Sequence, residues 1–430
     1  MPDRAALHGL KDGVQRLQWG ALHVDLIQTS AGTVRVGSMP DVAKIMARLG
    51  LREQIVVIPR WKVSQAGDNH TGEEFVQWHA QVYGCPRRTY IGTPKDLSLF
   101  YRNLAAIFSY YFDPKRLSIV RKRWLSRWVE KHPVETSFER GDFRALFAQG
   151  NLMLLDHGRK VYDLRECGYR TDSEEQVEGM LADVPRDSRG REDLEITVVG
   201  SGNGFFGTTA SFVARFGKAV LWIDPCAQPA CSLAQVGIHW DDITDVLITH
   251  NHEDHIAGFS ACLKRKTDRG EKLRLITAPS VYEVLRKQFR PLFPEMDRHI
   301  SFTQVSPGKI LELSGMRIET RWNHHFLPYG TLGIKIQAGG RMWGFSGDTK
   351  LDAAINAVLK RPELSGRWFR DCDLVFHEVD FHSPDGVHTY WKEVDRLRDE
   401  IAREVFVYHT QHIDNAPLPI ARQGETYRPR

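Results

Sequence analysis

Hydrophobic and polar residues follow two different patterns along the second half of the chain. Short apolar runs predict strands at EITVVG, TDVLITH, LRLITA, DLVFHEV and EVFVYHT, whereas apolar positions about 3.6 residues apart predict helices at SVYEVLRKQFRPLF and TYWKEVDRLRDEIARE. Strands that alternate with helices are typical of an α/β layered domain. A polar stretch broken by Pro and Gly, residues 179–195, is the best linker candidate, and it predicts two domains, 1–185 and 190–430.

Composition narrows the class of protein. The 430 residues are 42% hydrophobic and 26% charged, as in folded globular proteins of two domains. The 58 basic and 54 acidic residues nearly balance, so the net charge of +4 does not indicate a nucleic-acid surface over the whole chain. The sequence has neither a signal-peptide pattern nor 18 consecutive apolar residues, which predicts a cytoplasmic protein without a membrane segment. Oligomeric state stays open.

A dense group of histidines and acids follows one predicted strand, in the segment ITDVLITHNHEDHIAG. Side chains alternate between the two faces of a strand, so His250 and His252 project from the same face where the strand ends. Asp254 and His255 lie on the following turn. Imidazole and carboxylate are ligands of zinc and of other first-row divalent ions, including manganese and iron. Without a metal, several desolvated polar groups would crowd together unpaired. We therefore predict a metal site here.

The motif HNHEDH resembles the HxHxDH signature of the metallo-β-lactamase fold, and residues 190–430 fit that superfamily in order. ITVVGSGNGFFG and AVLWIDP resemble its first hairpin, and RWNHHFLPYGTLGIKI resembles its third ligand-bearing segment. WGFSGDT resembles the strand whose aspartate bridges two metals, and VFVYHT resembles the last ligand strand. The resemblance implies an α/β fold, a four-layer αββα sandwich, for the C-terminal half.

The resemblance also implies a site for two divalent ions, most simply zinc, which share and activate a hydroxide. One ion would be held by His250, His252 and His325, with His324 as the alternative third ligand. The other would be held by Asp254, His255 and His409, with His412 as the alternative to His409. Asp348 would lie between the ions, and Asp224 would lie behind the ligands.

The segment DLVFHEVDFHSPDGVHTYWKEV resembles the HEA and HST segments of the phosphodiesterase branch, whose best-known member is ribonuclease Z. That resemblance implies that His388 protonates the leaving oxygen and that Glu378 orients it, with His377 nearby. The alternative for His388 is a hydrogen-bonding residue at a helix N-terminus. Tyr390 departs from the branch pattern, and the long arm that holds tRNA has no evident counterpart. These departures argue against tRNA as the substrate and are compatible with a smaller phosphodiester.

Three functions follow from these patterns. The leading hypothesis is a metal-dependent hydrolase that cleaves a phosphodiester in RNA or in a nucleotide. The second hypothesis keeps the site but gives it a thioester, a lactone or a β-lactam as substrate. The third is a non-catalytic protein in which the metal braces a binding surface.

The N-terminal half repeats part of the C-terminal pattern. Residues 32–40 align with 217–225, and residues 93–108 align with 278–293 at the same offset. Between them, IVVIPRWKVSQAG aligns with VLITHNHEDHIAG. In this alignment no His or Asp occupies the positions of the predicted metal ligands. The residues at the positions of His250, His252, Asp254 and His255 are Pro59, Trp61, Val63 and Ser64. Either the first half is a degenerate copy without metal ligands, or two unrelated segments share a strand-turn-helix pattern. A degenerate copy would position substrate or a partner, or form a homodimer.

Two further patterns have less specific explanations. Gly202, Gly204 and Gly207 satisfy GxGxxG, but a dinucleotide site requires a helix over TTASFVARFG, whose alternation suits a strand equally well. Basic residues interleave with Trp124 and Trp128 in DPKRLSIVRKRWLSRW, which can contact nucleic acid. We interpret this stretch as a solvated helix face with buried tryptophans. The next segment, LMLLDHGRKVYDL, predicts a hairpin.

Overall fold

The computed structural model of the chain divides into two compact units. The first comprises Met1–Gly179, Ser260–Arg265 and Arg286–Met296, and the second comprises Met180–Phe259, Lys266–Leu285 and Asp297–Arg430. The structure describes residues 5–59, 63–67, 87–111, 129–148, 150–169, 174–187, 189–325, 330–351, 354, 357–358, 366–410, 413 and 415–430.

The helices with described bounds are α1 (Val42–Arg48), α2 (Pro94–Tyr111), α3 (Glu174–Ala182), α4 (Pro229–Ala234), α5 (Glu253–Ile256), α6 (Phe259–Asp268), α7 (Pro279–Phe289), α8 (Met296–His299) and α9 (Trp391–Ile401). Among these helices, none combines the length and the apolar character that a membrane crossing requires. The predicted linker, residues 179–195, contains the end of α3 and the start of a strand. The domain limits 1–185 and 190–430 stay a prediction.

The first unit contains two sheets. Its strands are β1 (Ala5–Lys11), β2 (Val14–Trp19), β3 (Leu22–Thr29), β4 (Gly32–Val36), β5 (Ile55–Ile58), β6 (Arg88–Gly92), β7 (Val129–Pro133), β8 (Ser137–Arg140), β9 (Phe143–Ala148), β10 (Asn151–Asp156) and β11 (Arg159–Asp163). Strands β1 to β7 form one sheet in chain order, and β8 to β11 form the other. The predicted hairpin is confirmed as β10 and β11, which pair in antiparallel fashion around His157 and Gly158 in left-handed conformations.

Apolar side chains on alternate positions hold the first unit together. Val34, Val57 and Ile91 on the larger sheet pack with Phe143 and Leu154 on the smaller sheet. Neighbouring strand residues that face the other way pack with helix α2. Because successive strand residues point to opposite faces, a continuous apolar run such as IVVI is buried on both sides.

The second unit also contains two sheets. Its strands are β12 (Arg191–Gly200), β13 (Ser211–Gly217), β14 (Ala219–Ile223), β15 (Asp245–Leu247), β16 (Leu273–Thr277), β17 (Ile300–Gln304), β18 (Ile310–Leu313), β19 (Met316–Asn323), β20 (Thr331–Ala338), β21 (Arg341–Phe345), β22 (Leu374–Glu378), β23 (Glu404–Tyr408) and β24 (Thr426–Tyr427). The first sheet has the order β17-β16-β15-β14-β13-β12-β24, and the second runs from β18 to β23. Since β13 covers the segment SFVARFG, the helix that a dinucleotide site requires does not form.

The two sheets of the second unit pack face to face through aromatic side chains. The ring of Phe212 on β13 lies 5.0 Å from Phe345 on β21 and 5.3 Å from both Phe376 on β22 and Tyr408 on β23, measured between centroids. All four residues are buried. Each such ring contributes roughly 2 kcal/mol through burial of apolar surface. Helix α9 packs on the outer side of the second sheet through Val394, which gives the layered α/β sandwich that the sequence predicted.

Much of the strand order and direction is shared by the two units. In the larger sheets, β3 and β4 pair antiparallel and β4 to β7 run parallel, just as β13 and β14 pair antiparallel and β14 to β17 run parallel. The smaller sheets both begin with four antiparallel strands, β8 to β11 and β18 to β21. This agreement favours the degenerate-copy interpretation of the first unit, which stays a prediction.

Hydrogen bonds at the ends of β4 and β14 identify matching positions. The Gly37 amide donates to the Val57 carbonyl at 2.9 Å, as the Asp224 amide donates to the Leu247 carbonyl at 2.9 Å. If the first unit is a degenerate copy, Gly37 therefore takes the place of Asp224, whereas the sequence alignment pairs Asp224 with Met39, two residues farther along. A Cβ atom on Gly37 would lie 2.0 Å from the hydroxyl oxygen of Tyr169. The first unit has no room for a carboxylate at this point.

Other sequence predictions in the first unit lie partly beyond the description. Pro59, Val63 and Ser64 are described, and Trp61 lies outside the described residues. The basic and aromatic stretch at 113–128 also lies outside them.

Candidate metal centre

The predicted ligands follow the carboxyl ends of strands in both sheets of the second unit. Strands β14 to β17 run parallel to one another, as do β21 to β23, so their ends meet at one edge of each sheet. The residues that the sequence predicted as ligands lie after these strands, in helix α5, or after β19. They are His250, His252, Asp254, His255, His325, Asp348 and His409.

Four of these residues form a first ligand group, in which each side chain offers an atom within 4.8 Å of the others: His250, His252, His325 and Asp348. The Nε2 atom of His325 lies 3.4 Å from Nδ1 of His252. The carboxylate oxygen Oδ2 of Asp348 lies 3.8 Å from Nε2 of His250 and 3.7 Å from Nε2 of His325. The structure therefore brings His325, the favoured member of the histidine pair, to this group.

A second ligand group consists of Asp254, His255 and His409. The Nε2 atom of His409 lies 3.3 Å from Oδ2 of Asp254. Asp348 adjoins this group too, because its Oδ1 lies 3.3 Å from Nε2 of His255 and its Oδ2 lies 3.6 Å from Nε2 of His409. Asp348 thus stands between the two groups, and its two oxygens face both.

Unpaired buried atoms test whether these residues fit a metal. Among the described residues, Nε2 of His250, Nε2 of His255 and both carboxylate oxygens of Asp348 are buried without a hydrogen-bond partner. Each such atom costs about 1 to 3 kcal/mol, and more when the group is charged. Cations between the groups would pair with all of these atoms, and the nitrogen and oxygen donors suit first-row divalent ions. The residues fit the predicted metals.

Electrostatics favour the metal-binding forms of His250 and Asp348. Burial lowers the pKa of His250 well below its ordinary value, and neighbouring imidazoles lower it further. Burial alone would raise the pKa of Asp348, but His409 and His255 outweigh burial and hold that pKa well below its usual range. A neutral imidazole and an ionised carboxylate are the forms that coordinate metals.

Asp224 lies directly behind the second group. It is fully buried, and its Oδ2 lies 2.8 Å from Nδ1 of His255. Its other oxygen, Oδ1, accepts a hydrogen bond from the backbone amide of Thr249 at 2.8 Å. These bonds fix the ring of His255 with Nε2 toward Asp348.

A histidine and a glutamate border the two groups. Nδ1 of His388 lies 2.7 Å from Oε2 of Glu378, whose Oε1 accepts a hydrogen bond from the Thr349 amide at 2.6 Å. The His388 side chain is 24% exposed, whereas that of Glu378 is fully buried. Burial lowers the pKa of His388, but the charge of Glu378 and its hydrogen bond outweigh burial and raise that pKa to about 9. His388 is therefore a partly exposed imidazole, and its Nδ1 lies 3.9 Å from Oδ2 of Asp348.

Two other predicted residues, His324 and His377, belong to neither ligand group among the described residues. The His324 carbonyl accepts a hydrogen bond from the Lys350 amide. His377 is on the opposite face of β22 from Glu378, the face on which Val375 and Val379 pack in a hydrophobic core. Burial lowers the pKa of His377 to about 4, so this residue is a neutral core side chain. His412 lies outside the described residues.

Sequence reasoning missed the residues that hold the loop of Asp348. The side-chain amide of Asn323 donates to the Ser346 carbonyl at 2.5 Å and to the Asp348 carbonyl at 3.3 Å. The Thr331 hydroxyl donates to the same Asp348 carbonyl at 2.5 Å. Both residues are buried polar side chains at the facing ends of β19 and β20. Polar residues at the ends of apolar strands were the available signal.

Comparison with known proteins identifies the family of the chain. A family model described as anti-Pycsar protein Apyc1 matches residues 194–424, more than half of the chain. The chain belongs to the Apyc1 family. This is a family of metallo-β-lactamase-fold phosphodiesterases, so the predicted superfamily, its α/β fold class and the prediction of a hydrolase of phosphodiesterase type are confirmed.

Relatives cover different shares of the chain. The anti-Pycsar protein Apyc1 of Paenibacillus sp. is 26% identical over an alignment of 231 positions, which covers 50% of this chain and 89% of that protein. Ribonuclease Z of Treponema denticola is 26% identical over 100 residues, 23% of this chain, and the match spans only 32% of that protein.

Solved structures similar to the chain include the metallo-β-lactamase fold protein YhfI from Bacillus subtilis, with 18% identity and a TM-score of 0.44 over 54% of this chain and 99% of that one. A diphosphatase from the PhnP family has 17% identity and a TM-score of 0.44 over 54% of this chain and 97% of that one.

Proposed function

We propose that this Apyc1-family protein binds two divalent ions, most simply zinc, and hydrolyses a phosphodiester in a nucleotide or in RNA. The observation that carries the proposal is the hydrogen-bonded pair of His388 and Glu378 beside the two ligand groups. A phosphodiester with an alkoxide leaving group requires a proton donor as well as a nucleophile, and this pair supplies one.

Each ligand group would hold one ion. His250, His252 and His325 would hold the first ion, and Asp348 would help to hold both. The second ion would be held by Asp254, His255 and His409. When bound, such ions supply positive charge for the phosphate oxygens and lower the pKa of water. Asp348 is fully buried, and among the described residues both of its carboxylate oxygens lack a hydrogen-bond partner, so its charge supports the presence of cations beside it.

The side chains around the ligands have separate roles in this proposal. Glu378 accepts a hydrogen bond from Nδ1 of His388, which leaves Nε2 to hand a proton to the departing oxygen. Glu378 is itself fixed by the Thr349 amide. The exposed part of His388 gives substrate access to this proton.

Leaving-group dependence tests the role of His388. We expect His388→Ala to reduce turnover of a 3′,5′-cyclic nucleotide or a short RNA by about 10² to 10⁴-fold, because an alkoxide needs the proton. The same variant should affect bis(p-nitrophenyl) phosphate much less, since p-nitrophenolate leaves without a proton. His382→Ala is the matched control, since it changes an exposed histidine of the same loop. Equal losses on both substrates, or a loss below about threefold, would remove His388 from the chemistry.

Metal content and substrate class are tested separately. Purified protein should contain about two transition-metal ions per chain, and fewer than one would contradict the two-ion proposal. A thioester and a lactone should be turned over more slowly than the nucleotide. If either is the better substrate, and His388→Ala leaves its turnover unchanged, the second hypothesis replaces the phosphodiesterase.

A further inference from the structure

One buried carboxylate is connected to both ligand groups, directly to one and through a threonine hydroxyl to the other. Oδ2 of Asp224 accepts a hydrogen bond from the Thr249 hydroxyl at 2.7 Å and lies 2.8 Å from Nδ1 of His255. The Thr249 hydroxyl in turn lies 2.9 Å from Nδ1 of His250. All four residues are fully buried. His255 belongs to the second ligand group and His250 to the first.

The chemistry of these groups assigns the protons. A carboxylate only accepts hydrogen bonds, and a hydroxyl has a single hydrogen to donate. Thr249 therefore donates to Asp224 and accepts from Nδ1 of His250. His255 likewise donates its Nδ1 proton to Asp224. Both imidazoles are left with a lone pair on Nε2.

The unpaired atoms agree with this assignment. Nε2 of His250 and Nε2 of His255 are both buried without a hydrogen-bond partner among the described residues, and they lie 3.8 and 3.3 Å from the two oxygens of Asp348. The hydrogen bond of His255 to Asp224 and that of His250 to the Thr249 hydroxyl therefore aim both nitrogens at the same central carboxylate.

We propose that Asp224 and Thr249 act together as positioning residues that tie one ligand imidazole of each ion to a single carboxylate. Asp224 serves His255 directly, and the Thr249 hydroxyl extends its reach to His250. Loss of the hydroxyl affects only the ion held by His250, whereas loss of the carboxylate affects both. This inference rests on the two-ion site of the proposed function.

Thr249→Val removes the hydroxyl and retains the branched shape. Its backbone amide still donates to Asp224, so the His255 connection is unchanged. Removal of a hydrogen bond behind a metal ligand typically lowers metal affinity about 10 to 100-fold. Thr249→Ser keeps the hydroxyl and is the conservative control, which should stay within about threefold of the parent.

Two single-site backgrounds separate the ions. His409→Ala impairs the second group and leaves the first for measurement, and His252→Ala does the reverse. Zn²⁺ affinity is measured on the full chain by competition with a chromophoric chelator, without reference to turnover. We expect Thr249→Val to weaken Zn²⁺ binding about 10 to 100-fold in the His409→Ala background and less than about twofold in the His252→Ala background.

Each other outcome overturns the inference. Equal effects in both backgrounds, no effect in the His409→Ala background, or a Thr249→Ser variant as weak as Thr249→Val would show that the hydroxyl does not serve His250 alone. Asp224→Asn should weaken Zn²⁺ binding in both backgrounds, and an effect in only one would contradict the shared carboxylate. A parent protein that binds fewer than two Zn²⁺ ions would instead contradict the proposed function itself.

Discussion

Nδ1 of His388 lies 2.7 Å from Oε2 of Glu378, and this bond joins a partly exposed imidazole to a fully buried carboxylate. The carboxylate of Glu378 is held in place, because its Oε1 accepts a hydrogen bond from the Thr349 amide. The bond to Glu378 therefore orients the imidazole ring of His388, and the charge of Glu378 also influences the pKa of that imidazole. Both effects can be tested through the pH dependence of turnover.

Glu378→Gln tests that electrostatic link. The charge of Glu378 is the main influence that raises the pKa of His388, so the uncharged amide should lower that pKa. Turnover that needs protonated His388 falls as pH rises through this pKa. The alkaline limb of the pH profile for kcat should therefore move to lower pH in the variant. An unmoved limb would show that Glu378 does not control the pKa of the proton donor.

The adjacent histidines His324 and His325 offer a matched pair for the ligand assignment. His325→Ala should lower the metal content of the purified protein by up to one ion per chain, because its Nε2 adjoins His252 and Asp348. His324→Ala should leave metal content unchanged, since that side chain belongs to neither group. Elemental analysis of both variants decides the matter, and a loss in His324→Ala alone would reverse the assignment.

Thr331→Val should destabilise the protein by about 1 to 2 kcal/mol in urea unfolding, because the carbonyl of Asp348 loses its hydroxyl donor. Thr320→Val is the control on the neighbouring strand. Thr320 is also buried, but its hydroxyl has no hydrogen-bond partner among the described residues, so this variant should be neutral or more stable. Equal destabilisation of the two variants would contradict the role assigned to Thr331.

Acid should loosen the first unit through His23. Burial lowers the pKa of His23 to about 4 from an ordinary value of 6.5, and the nearby charge of Arg16 lowers it further. The unfolded chain binds a proton on this histidine at a pH where the folded chain does not. Stability is therefore complete above pH 6.5 and falls by up to about 3 kcal/mol as the pH drops toward 4.

Hydrogen exchange over residues 14–36 measures this effect locally. Exchange should accelerate between pH 6.5 and 5 in the parent after correction for the intrinsic rate. His23→Phe keeps a ring against Tyr169, which His23 contacts at 4.8 Å, and should abolish the acceleration. A variant with the same acid response as the parent would assign the effect to other groups.

The sequence predicted those parts of the site that depend on local spacing or on a family pattern. His250 to His255 lie in one turn, so their convergence follows from strand alternation alone. Thr249, Asn323 and Thr331 were missed because their partners lie far away along the chain, where only packing brings them together. Metal identity and substrate could not be predicted, because the same His and Asp side chains bind several divalent ions and can serve the hydrolysis of several kinds of ester.

His377 shows a signal that was available and not used. It directly precedes Glu378 on β22, and neighbouring strand residues point to opposite faces. Both cannot face the same site. The two-residue difference at Gly37 between the sequence alignment and the matching hydrogen bonds has a different cause, because a shift in register changes no composition and leaves the apolar pattern intact.

The phenol of Tyr169 fills the space beside Gly37 in the first unit. An aspartate introduced at Gly37 would meet that phenol at once, because its Cβ atom would lie 2.0 Å from the hydroxyl oxygen. Tyr169 would have to change or move before a carboxylate could occupy this position. If the first unit is a degenerate copy, as we predict, a carboxylate there requires two substitutions, and Gly37→Asp alone would give a less stable protein.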